Sequence, residues 1–337
     1  MDPEGRSAAF LEVADEVPAL FRLKSGSNCA RFPLEPGESR EHRFIVEMHV
    51  KGRYSFDAVQ VRVEDAWGLV HRTRASSLPA PVSVLPAAQR LRKVPARTKF
   101  PLVFLGAHLV RAPGQGTEFF GLREYLPSDP LKEVNWKASA RSTGLVVNQR
   151  EKETLADVTI LLDARAVMGY GRADDNASLW AARATATLVH FFLQRRDRVR
   201  LVAYGETISV LDPDGGQSHH QRILNFLTDL SPAGSLPFVE ATRKLIPRLH
   251  RKSPVVVVSS LVDDATVVEG VSLLQALSMH TVVLSIEPRN HVPDGETQAL
   301  VDLERRLAMM DLRGVGARVI AWQGDQNLME RLMEVAP

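Results

Sequence analysis

The amino-acid sequence predicts an α/β protein in which a smaller N-terminal β-sandwich precedes a larger α/β domain. The 337 residues exceed what one hydrophobic core usually organises, so two domains are expected. Short segments of alternating polarity fill the first 95 residues, and apolar strands alternate with amphipathic helices from Ala156 onward. The predicted units are residues 1–95, 96–155 and 156–337, and the second unit is a connecting or docking segment.

The N-terminal unit has the pattern of short antiparallel strands. Arg43–His49 and Ala58–Val63 alternate between polar and apolar residues, and Val82–Leu85 is a short apolar segment. Turn-forming pairs that contain glycine or proline separate these segments. Frequent turns between short strands favour a small β-sandwich.

The middle unit differs from both of its neighbours. Apart from the apolar segment Phe100–Leu105, neither periodicity persists, yet aromatic and charged residues crowd together in EFFGLREYLPSDPLKEVNWKASAR. Asp129 followed by Pro130 is typical of the cap that begins a short helical turn. The segment is either a clamp between the two domains or an exposed surface that a partner binds. The charges available for a clamp are Arg123, Glu124, Asp129, Lys137 and Arg141.

The C-terminal unit alternates between buried strands and amphipathic helices. Strands are predicted at Val158–Leu162, Val199–Tyr204, Thr207–Leu211, Val255–Ser259, Thr281–Ile286 and Ala317–Ala321. Helices are predicted near Asn176–Arg196, Gln221–Leu230, Leu236–Leu249, Gln298–Met310 and Gln326–Val335. This order indicates a mostly parallel, Rossmann-like sheet with helices on both faces. Ligands of such sheets bind beyond the carboxyl ends of the strands. The residues at those ends are Asp163, Arg165, Ser259, Ser260 and Asp263.

Composition and motifs exclude several classes of function. The 42 Lys and Arg residues against 40 Asp and Glu give no electrostatic case for binding nucleic acid. The single cysteine, Cys29, rules out an intrachain disulfide and is interpreted as an incidental loop thiol. No phosphate-binding loop, dinucleotide fingerprint or nucleophile elbow occurs, and no apolar segment is long enough for a membrane helix.

Adjacent polar pairs are interpreted as structural. His219 and His220 would point about 100° apart on a helix, so we expect a solvated helix start rather than a metal site. The carboxylate pairs Asp174-Asp175 and Asp263-Asp264 are expected to be caps.

Residues at fixed spacing in the middle unit resemble the signature of the bacterial family called domain of unknown function 58. The family pattern is approximately G-E-F-x-G-x-R-x-Y, then P-x-D-x-x-R-x-I-x-W, then A-R. The matching positions are Glu118, Phe119, Gly121, Arg123, Tyr125, Pro127, Asp129, Trp136, Ala140 and Arg141. The upstream sequence KGRYSFDAVQVRVEDAWGLVHR resembles the β region of the same family. Its matching positions are Gly52, Arg53, Tyr54, Asp65, Gly68 and Leu69.

The resemblance covers nearly the whole chain and implies a von Willebrand factor A-like fold for the C-terminal domain. It also implies a non-enzymatic role with a MoxR-type AAA+ ATPase, and with other von Willebrand A proteins, in the assembly or maturation of other proteins. Two alternatives stay open: a metal-dependent, ligand-binding von Willebrand A module and an uncharacterised hydrolase. Members usually carry a hydrophobic hairpin ahead of the β region. We therefore expect a cytoplasmic protein, held at the cytoplasmic face of the membrane if such a hairpin precedes this chain.

The metal motif of von Willebrand A domains is altered in this sequence. Those domains often bind Mg²⁺ through D-x-S-x-S after the first strand, a threonine on a second loop and an aspartate on a third. Here the first motif is DARAV, which keeps the aspartate but has arginine and valine at the serine positions. The second loop offers a serine, and the third has a serine at the aspartate position with an aspartate three residues later. The positions of this degenerate site are Asp163, Arg165, Val167, Ser235, Ser260 and Asp263.

We expect no cofactor at these loops, because Mg²⁺ requires about six oxygen ligands and at most three remain. A sharper hypothesis places the guanidinium of Arg165 where the ion would lie, paired with Asp163. In the alternative, the site has decayed and Arg165 points to solvent.

Overall fold

The architecture combines antiparallel β structure with a mixed α/β sheet. The computed structural model describes residues 10–33, 38–65, 67–89, 113–151, 157–249, 253–287, 295–324 and 326–334. The apolar segment Phe100–Leu105 lies outside the described residues. Within those ranges, no helix is both long enough and apolar enough to cross a membrane.

The N-terminal unit is built on a four-stranded antiparallel sheet. Its strands are β1 (Phe10–Asp15), β2 (Arg22–Ser25), β3 (Cys29–Phe32), β4 (Ile45–Glu47), β5 (Gly52–Glu64) and β6 (His71–Val84). The sheet has the order β3-β1-β5-β6, and β2 pairs with β4 in a separate ribbon. The described strands do not confirm the predicted β-sandwich, because residues 71–81 of β6 are exposed and no second sheet covers them.

Two of the predicted N-terminal strands belong to one long hairpin, β5–β6. Its turn is fixed by Asp65, whose Oδ1 accepts hydrogen bonds from the backbone N–H groups of Leu69 and Val70 at 2.8 and 3.2 Å. Gly68 has a φ of 69° there, a left-handed conformation that glycine adopts without strain. Trp67 at the tip is 83% exposed.

Residues 113–151 form a compact hairpin, which we call the signature unit. It contains β7 (Pro113–Glu124), a 3₁₀ turn at Leu131–Glu133, α1 (Trp136–Ser139) and β8 (Val146–Glu151). Strands β7 and β8 pair antiparallel, with register shifts between Gly114 and Gly121. These irregularities interrupt the alternation of polar and apolar residues, and they explain why the sequence did not indicate a strand here.

The C-terminal unit contains a six-stranded mixed sheet. Its strands are β9 (Asp157–Asp163), β12 (Arg198–Tyr204), β13 (Ile208–Asp214), β14 (Val255–Ser259), β15 (Thr281–Ile286) and β16 (Arg318–Trp322), and a two-residue ribbon consists of β10 (Gly171–Arg172) and β11 (Asp175–Asn176). The order is β13-β12-β9-β14-β15-β16, parallel throughout except for the edge strand β13. The predicted α/β class is therefore confirmed.

Helices cover both faces of this sheet. They are α2 (Ala177–Gln194), α3 (Gly216–Asp229), α4 (Phe238–Leu245), α5 (Val267–Ala276), α6 (Gly295–Gly314) and α7 (Leu328–Glu334). Helices α2, α3 and α7 pack on the face that carries Ile160 and Val258, whereas α4, α5 and α6 pack on the face that carries Leu161 and Val257. Burial on both faces explains the continuous apolar strands.

Helix boundaries follow local chemistry. The predicted cap of α2 is correct, because the Asn176 side chain accepts a hydrogen bond from the Leu179 N–H at 3.0 Å. Helix α5 was not predicted. Its segment, Val267–Ala276, begins with two β-branched valines and contains Gly270, residues that lower helix propensity, so tertiary packing decides its conformation.

The N-terminal sheet is joined to the α/β unit at the beginning of β5. Arg53 donates two hydrogen bonds to the Asp229 carboxylate, at 2.5 and 2.7 Å. Beside it, the Lys51 ammonium donates to the carbonyl of Leu230, at the C-terminal end of α3, where the helix dipole favours a cation. The upstream KGRY motif thus contributes contacts between the two domains, a role that the sequence left open for the middle unit.

The Lys51 contact predicts a pH-dependent contribution to stability. Burial lowers the pKa of Lys51 to about 8, against the raising effect of Asp229. Above pH 8 the folded protein releases this proton, whereas the unfolded chain holds it to near its ordinary pKa of about 10.4. Between these values, unfolding takes up a proton, so stability rises with pH.

We therefore compare the free energy of unfolding of the wild type with that of Lys51→Met. The difference, wild type minus variant, is expected to increase by up to about 3 kcal/mol between pH 7.5 and 10.5. Urea titrations of both proteins across this range measure the difference. A difference that does not change with pH would contradict the lowered pKa of Lys51 in the folded protein.

Candidate functional site

The signature unit is held by an internal ion pair. Arg123 donates to both oxygens of Asp129 at 2.6 Å, and the Leu126 N–H donates to the same carboxylate at 2.8 Å. The Arg123 bonds, and then the Leu126 bond, lower the pKa of Asp129 to about 2. The predicted capping role of Asp129 is therefore wrong. Its carboxylate closes the loop after β7, and Pro130 is the residue that precedes the 3₁₀ turn.

A second set of polar bonds fixes the other end of the unit. Asn135 caps α1 by accepting from the Ala138 N–H at 3.0 Å, and its amide donates to the Asn148 side chain on β8. The Ser139 hydroxyl accepts from the Val146 N–H at 2.9 Å. These bonds position the backbone of the unit locally.

Apolar side chains of the signature unit face solvent. Trp136 is 64% exposed, so its indole needs no buried partner. The other large apolar residues that are exposed in the described part of this unit are Phe119, Leu122, Leu126, Leu131 and Leu145. Its exposed basic residues there are Lys132, Lys137 and Arg141. Glu118 lies in β7, with its side chain outside the described set.

The described residues show no ion pair between the charges of this unit and the α/β domain, which a clamp would require. Among the described contacts, Arg123 is paired with Asp129 inside the unit. Gly121 and Tyr125 are half-buried, and the Tyr125 N–H donates to the Leu145 carbonyl within the same unit. Of the two interpretations left open by the sequence, this geometry agrees with an exposed surface.

A row of polar side chains lies at the carboxyl ends of the parallel strands. Tyr204 is in register with Asp163, and Ser259 with Ser285, on the face covered by α4, α5 and α6. All four are buried, and the Ser259 hydroxyl donates to Asp163 Oδ2 at 2.7 Å. Burial raises the pKa of Tyr204 well above its ordinary range, with the negative charge of Asp163 adding to the effect.

Arg165 folds back onto this row. Its Nε and Nη2 atoms donate to Asp163 Oδ1 and Oδ2 at 3.0 and 2.8 Å, and its backbone N–H donates to the same Oδ1. The two remaining bonds go to carbonyls of the third loop, those of Asp263 at 2.7 Å and Val262 at 3.1 Å. The Arg165 side chain is only 3% exposed, so it does not point to solvent.

The charge balance keeps Arg165 ionised. Burial lowers the pKa of Arg165, but the bonds and charge of Asp163, with a contribution from Asp264, more than compensate and raise it. Tyr204 lies beside the cation, with the guanidinium carbon 6.0 Å from the ring centroid.

Asp264, rather than Asp263, supplies the buried carboxylate of the third loop. Its Oδ2 lies 3.5 Å from Arg165 Nη1 and accepts from the Phe238 N–H, the first residue of α4. Its Oδ1 accepts from the N–H and hydroxyl of Thr266. The expectation that this carboxylate pair provides a cap is correct for Asp264. The helix that it caps is α4, which follows the second loop, rather than the helix that follows Asp264 in the sequence.

The remaining predicted positions do not converge on a common point. Asp263 is exposed and donates its N–H to Glu304, and Ser235 is exposed on the second loop. Val167 is buried, and the Ser260 hydroxyl is buried without a hydrogen-bond partner among the described residues. Only Asp163 and Arg165, of the six positions, are joined by direct side-chain bonds.

Glycine permits the close approach of the first two loops. A Cβ at Gly205 would lie 2.5 Å from the Ala164 carbonyl oxygen and 2.6 Å from that of Ala233, closer than real contacts allow. The Ala233 N–H also donates to the Ala164 carbonyl at 2.8 Å. The loop that carries Arg165 is therefore packed rigidly against its neighbours.

The residues present do not fit a Mg²⁺ ion at this site. The guanidinium of Arg165 is bonded to Asp163 and lies next to Asp264, so the two carboxylates face a cationic side chain. Among the described residues, no three His, Cys, Asp or Glu side chains are grouped so that they could hold a metal ion.

Three other sequence interpretations need correction. His219 is 2% exposed, and its Nε2 bonds to the Val199 carbonyl at 2.7 Å, so it is a core histidine rather than a solvated one. Cys29 lies in strand β3 rather than a loop, and burial together with Glu12 raises the pKa of its thiol. Asp174 pairs with Arg172, and Asp175 accepts from the Trp180 indole, so neither is the cap.

Comparison with known proteins identifies relatives of this chain. The family described as "Protein of unknown function DUF58" matches residues 121–310, more than half of the chain. "Uncharacterized protein Rv1480" of Mycobacterium tuberculosis is 26% identical over 227 residues, which cover 65% of this chain and 71% of that protein. "Uncharacterized protein YeaD" of Bacillus subtilis is 23% identical over 217 residues, which cover 64% of this chain and 52% of that protein.

Solved structures show weaker similarity. An aerotolerance-related membrane protein from Bacteroides fragilis has 13% identity and a TM-score of 0.37, covering 54% of this chain and 96% of that one. The manganese-loaded TRAP protein of Plasmodium vivax has 15% identity and a TM-score of 0.34, covering 46% of this chain and 62% of that one.

Proposed function

This chain belongs to the DUF58 family, and we propose that it is a non-enzymatic protein-interaction module with a von Willebrand A-like domain. In this proposal it works with a MoxR-type AAA+ ATPase in the assembly or maturation of other proteins. The resemblance of its signature residues to the family suggests the partner. The observation that carries the proposal is the outward face of the signature unit.

The signature unit has the properties of a docking surface. Internal hydrogen bonds of Arg123, Asp129 and Asn135 hold its backbone in one shape. Four of its apolar residues are more than half exposed: Phe119, Leu126, Leu131 and Trp136. Exposed apolar side chains with basic neighbours on a rigid scaffold are typical of surfaces that bind a protein with an acidic rim.

The cluster around Arg165 supports a function independent of metal. A guanidinium bonded to Asp163 supplies internally the positive charge that a cation would otherwise bring to these loops. We also propose that the module has no catalytic activity, since the side chains of Asp163, Arg165 and Ser259 are buried and bonded to one another.

Affinity purification tests the proposal. The tagged chain is recovered from its own cells with and without ATP, and bound proteins are identified by mass spectrometry. We expect an AAA+ ATPase in at least one of the two conditions, and we expect Trp136→Ser in the signature unit to reduce its recovery about tenfold, since buried aromatic anchors dominate interfaces.

The matched control is Trp67→Ser, which removes an exposed tryptophan from the tip of β5–β6. Its recovery of the ATPase should equal that of the wild type. Absence of any AAA+ ATPase under both conditions would overturn the proposed partner. Equal loss in the two variants would overturn the assignment of the signature unit as the docking surface.

A further inference from the structure

Helix α6 carries a second apolar stripe that faces solvent. Leu300, Leu303, Leu307 and Met310 are 66%, 53%, 51% and 63% exposed. Their spacing of three, four and three residues is that of the a and d positions of a heptad, which places all four on one side of a helix.

The same helix already buries its opposite side against the sheet. Arg305, Met309 and Leu312 are less than 10% exposed, and Val301 packs against the core from its half-buried position. At 100° per residue, the buried positions centre roughly 170° away from the exposed stripe. The three exposed leucines therefore lie on the side of the helix that no other described part of the chain covers.

Charges flank the stripe asymmetrically. With Leu300 and Leu307 at positions a, the basic residues Arg306 and Arg313 fall at positions g, and the acidic residues Glu304 and Asp311 fall at positions e. All four of these residues are exposed. One flank of the stripe is thus positive and the other negative.

This arrangement selects one occupant and one orientation. In a parallel pair of identical helices, position g of one helix meets position e of the next heptad on the other, which brings Arg306 next to the second copy's Asp311, and the reverse by symmetry. In an antiparallel pair, g would meet g and e would meet e, so arginine would face arginine and acid would face acid.

We propose that α6 is a self-association surface through which two copies of this chain form a parallel, two-fold symmetric dimer. The leucines and methionine of the stripe form its seam, and the Arg306–Asp311 contacts fix its orientation. Helix α6 covers the sheet next to its edge strand β16, which leaves the stripe at the periphery of the α/β unit. Because the seam spans fewer than two heptads, the dimer is weak and depends on protein concentration.

Sedimentation equilibrium of the full chain over a wide concentration range measures the association. We expect Leu303→Lys to abolish the dimer, because it places a charge in the seam. We expect Arg306→Asp and Asp311→Arg each to weaken the dimer about tenfold through like-charge contacts, and the double exchange to restore it, since it swaps the two flanks. Far-ultraviolet circular dichroism checks that each variant is folded.

Cysteine cross-linking determines the orientation. In a Cys29→Ser background, Leu303→Cys and Met310→Cys place thiols at positions d, and equivalent d positions meet across a parallel two-fold axis. Each single variant should form a disulfide-linked dimer with itself under mild oxidation. In an antiparallel pair, positions d face positions a, so Leu303→Cys would instead cross-link with Leu307→Cys. Cross-linking only in a mixture of those two variants would indicate an antiparallel pair and overturn the orientation.

Other outcomes overturn the proposal as a whole. A monomer at every concentration, or binding of the stripe to phospholipid vesicles without self-association, would exclude a second copy as the occupant. These results are independent of the proposed ATPase partner, because that experiment depends on Trp136 in another part of the molecule.

Discussion

Replacing Arg165 by methionine is expected to lower the free energy of unfolding by about 3–5 kcal/mol, the cost of removing one partner from a buried ion pair. The Asp163 and Asp264 side chains are at most 2% exposed, and each would lose its contact with the guanidinium. Two carbonyls of the third loop would also lose their donor. Methionine fills much of the volume, so the effect measures lost charge and hydrogen bonds rather than a cavity. Urea unfolding at neutral pH gives the value.

The control for this prediction is Arg172→Met, which breaks an exposed pair with Asp174. Its effect should be much smaller, because exposed pairs contribute little. If Arg165→Met does not fold, Arg165→Lys retains the charge but cannot make the two parallel bonds to Asp163, and an intermediate loss is expected. Wild-type stability in both Arg165 variants would mean that the Arg165 bonds do not hold the first and third loops together.

The strands and the first half of this site were predictable from the sequence for a simple reason. A strand buried on both faces is a continuous apolar segment, so the end of Val158–Leu162 located Asp163 at the carboxyl edge of the sheet. Arg165 follows by two residues, within reach of that carboxylate through local geometry alone. The bond between them is now observed at 2.8 Å.

The sequence did not predict which side chain of the third loop faces the site. Leu261 and Asp263 both have positive φ, at 57° and 54°, and such backbone turns change which side chain faces the site. Counting residues from the strand favoured Ser260 or Asp263, whereas the turn directs Asp264 inward. A conformation of this kind leaves no periodic signal in the sequence.

Tertiary contacts, which the sequence does not show, also determine the environment of His219 and the structure of the signature unit. Adjacent histidines at a helix start look solvated, but the first turn of α3 packs against β12, and His219 bonds to Val199 there. In the signature unit the register shifts of β7 erased the alternation of a strand. Arg123 and Asp129 are six residues apart, and only the folded hairpin brings their side chains together.

Replacing Arg165 by serine is expected to make the stability of this chain depend on Mg²⁺. The substitution removes the guanidinium between Asp163 and Asp264. It adds a hydroxyl at the position where the D-x-S-x-S motif has its first serine. Two carboxylates and the Ser259 hydroxyl then remain near one another, and oxygen ligands of this kind are those that Mg²⁺ prefers. At a concentration about a hundredfold above Kd, the ion would stabilise the folded state by about 2.7 kcal/mol.

Thermal melts with MgCl₂ and with an equal ionic strength of NaCl measure this response. The wild type should show no specific shift, because its guanidinium already occupies the space between the two carboxylates. Arg165→Met is the matched control: it removes the same charge without supplying an oxygen, so its response to Mg²⁺ should be smaller than that of Arg165→Ser. A Mg²⁺-specific rise in the melting temperature of the wild type would contradict the view that Arg165 takes the place of a cation. It would instead favour a metal-dependent ligand-binding module.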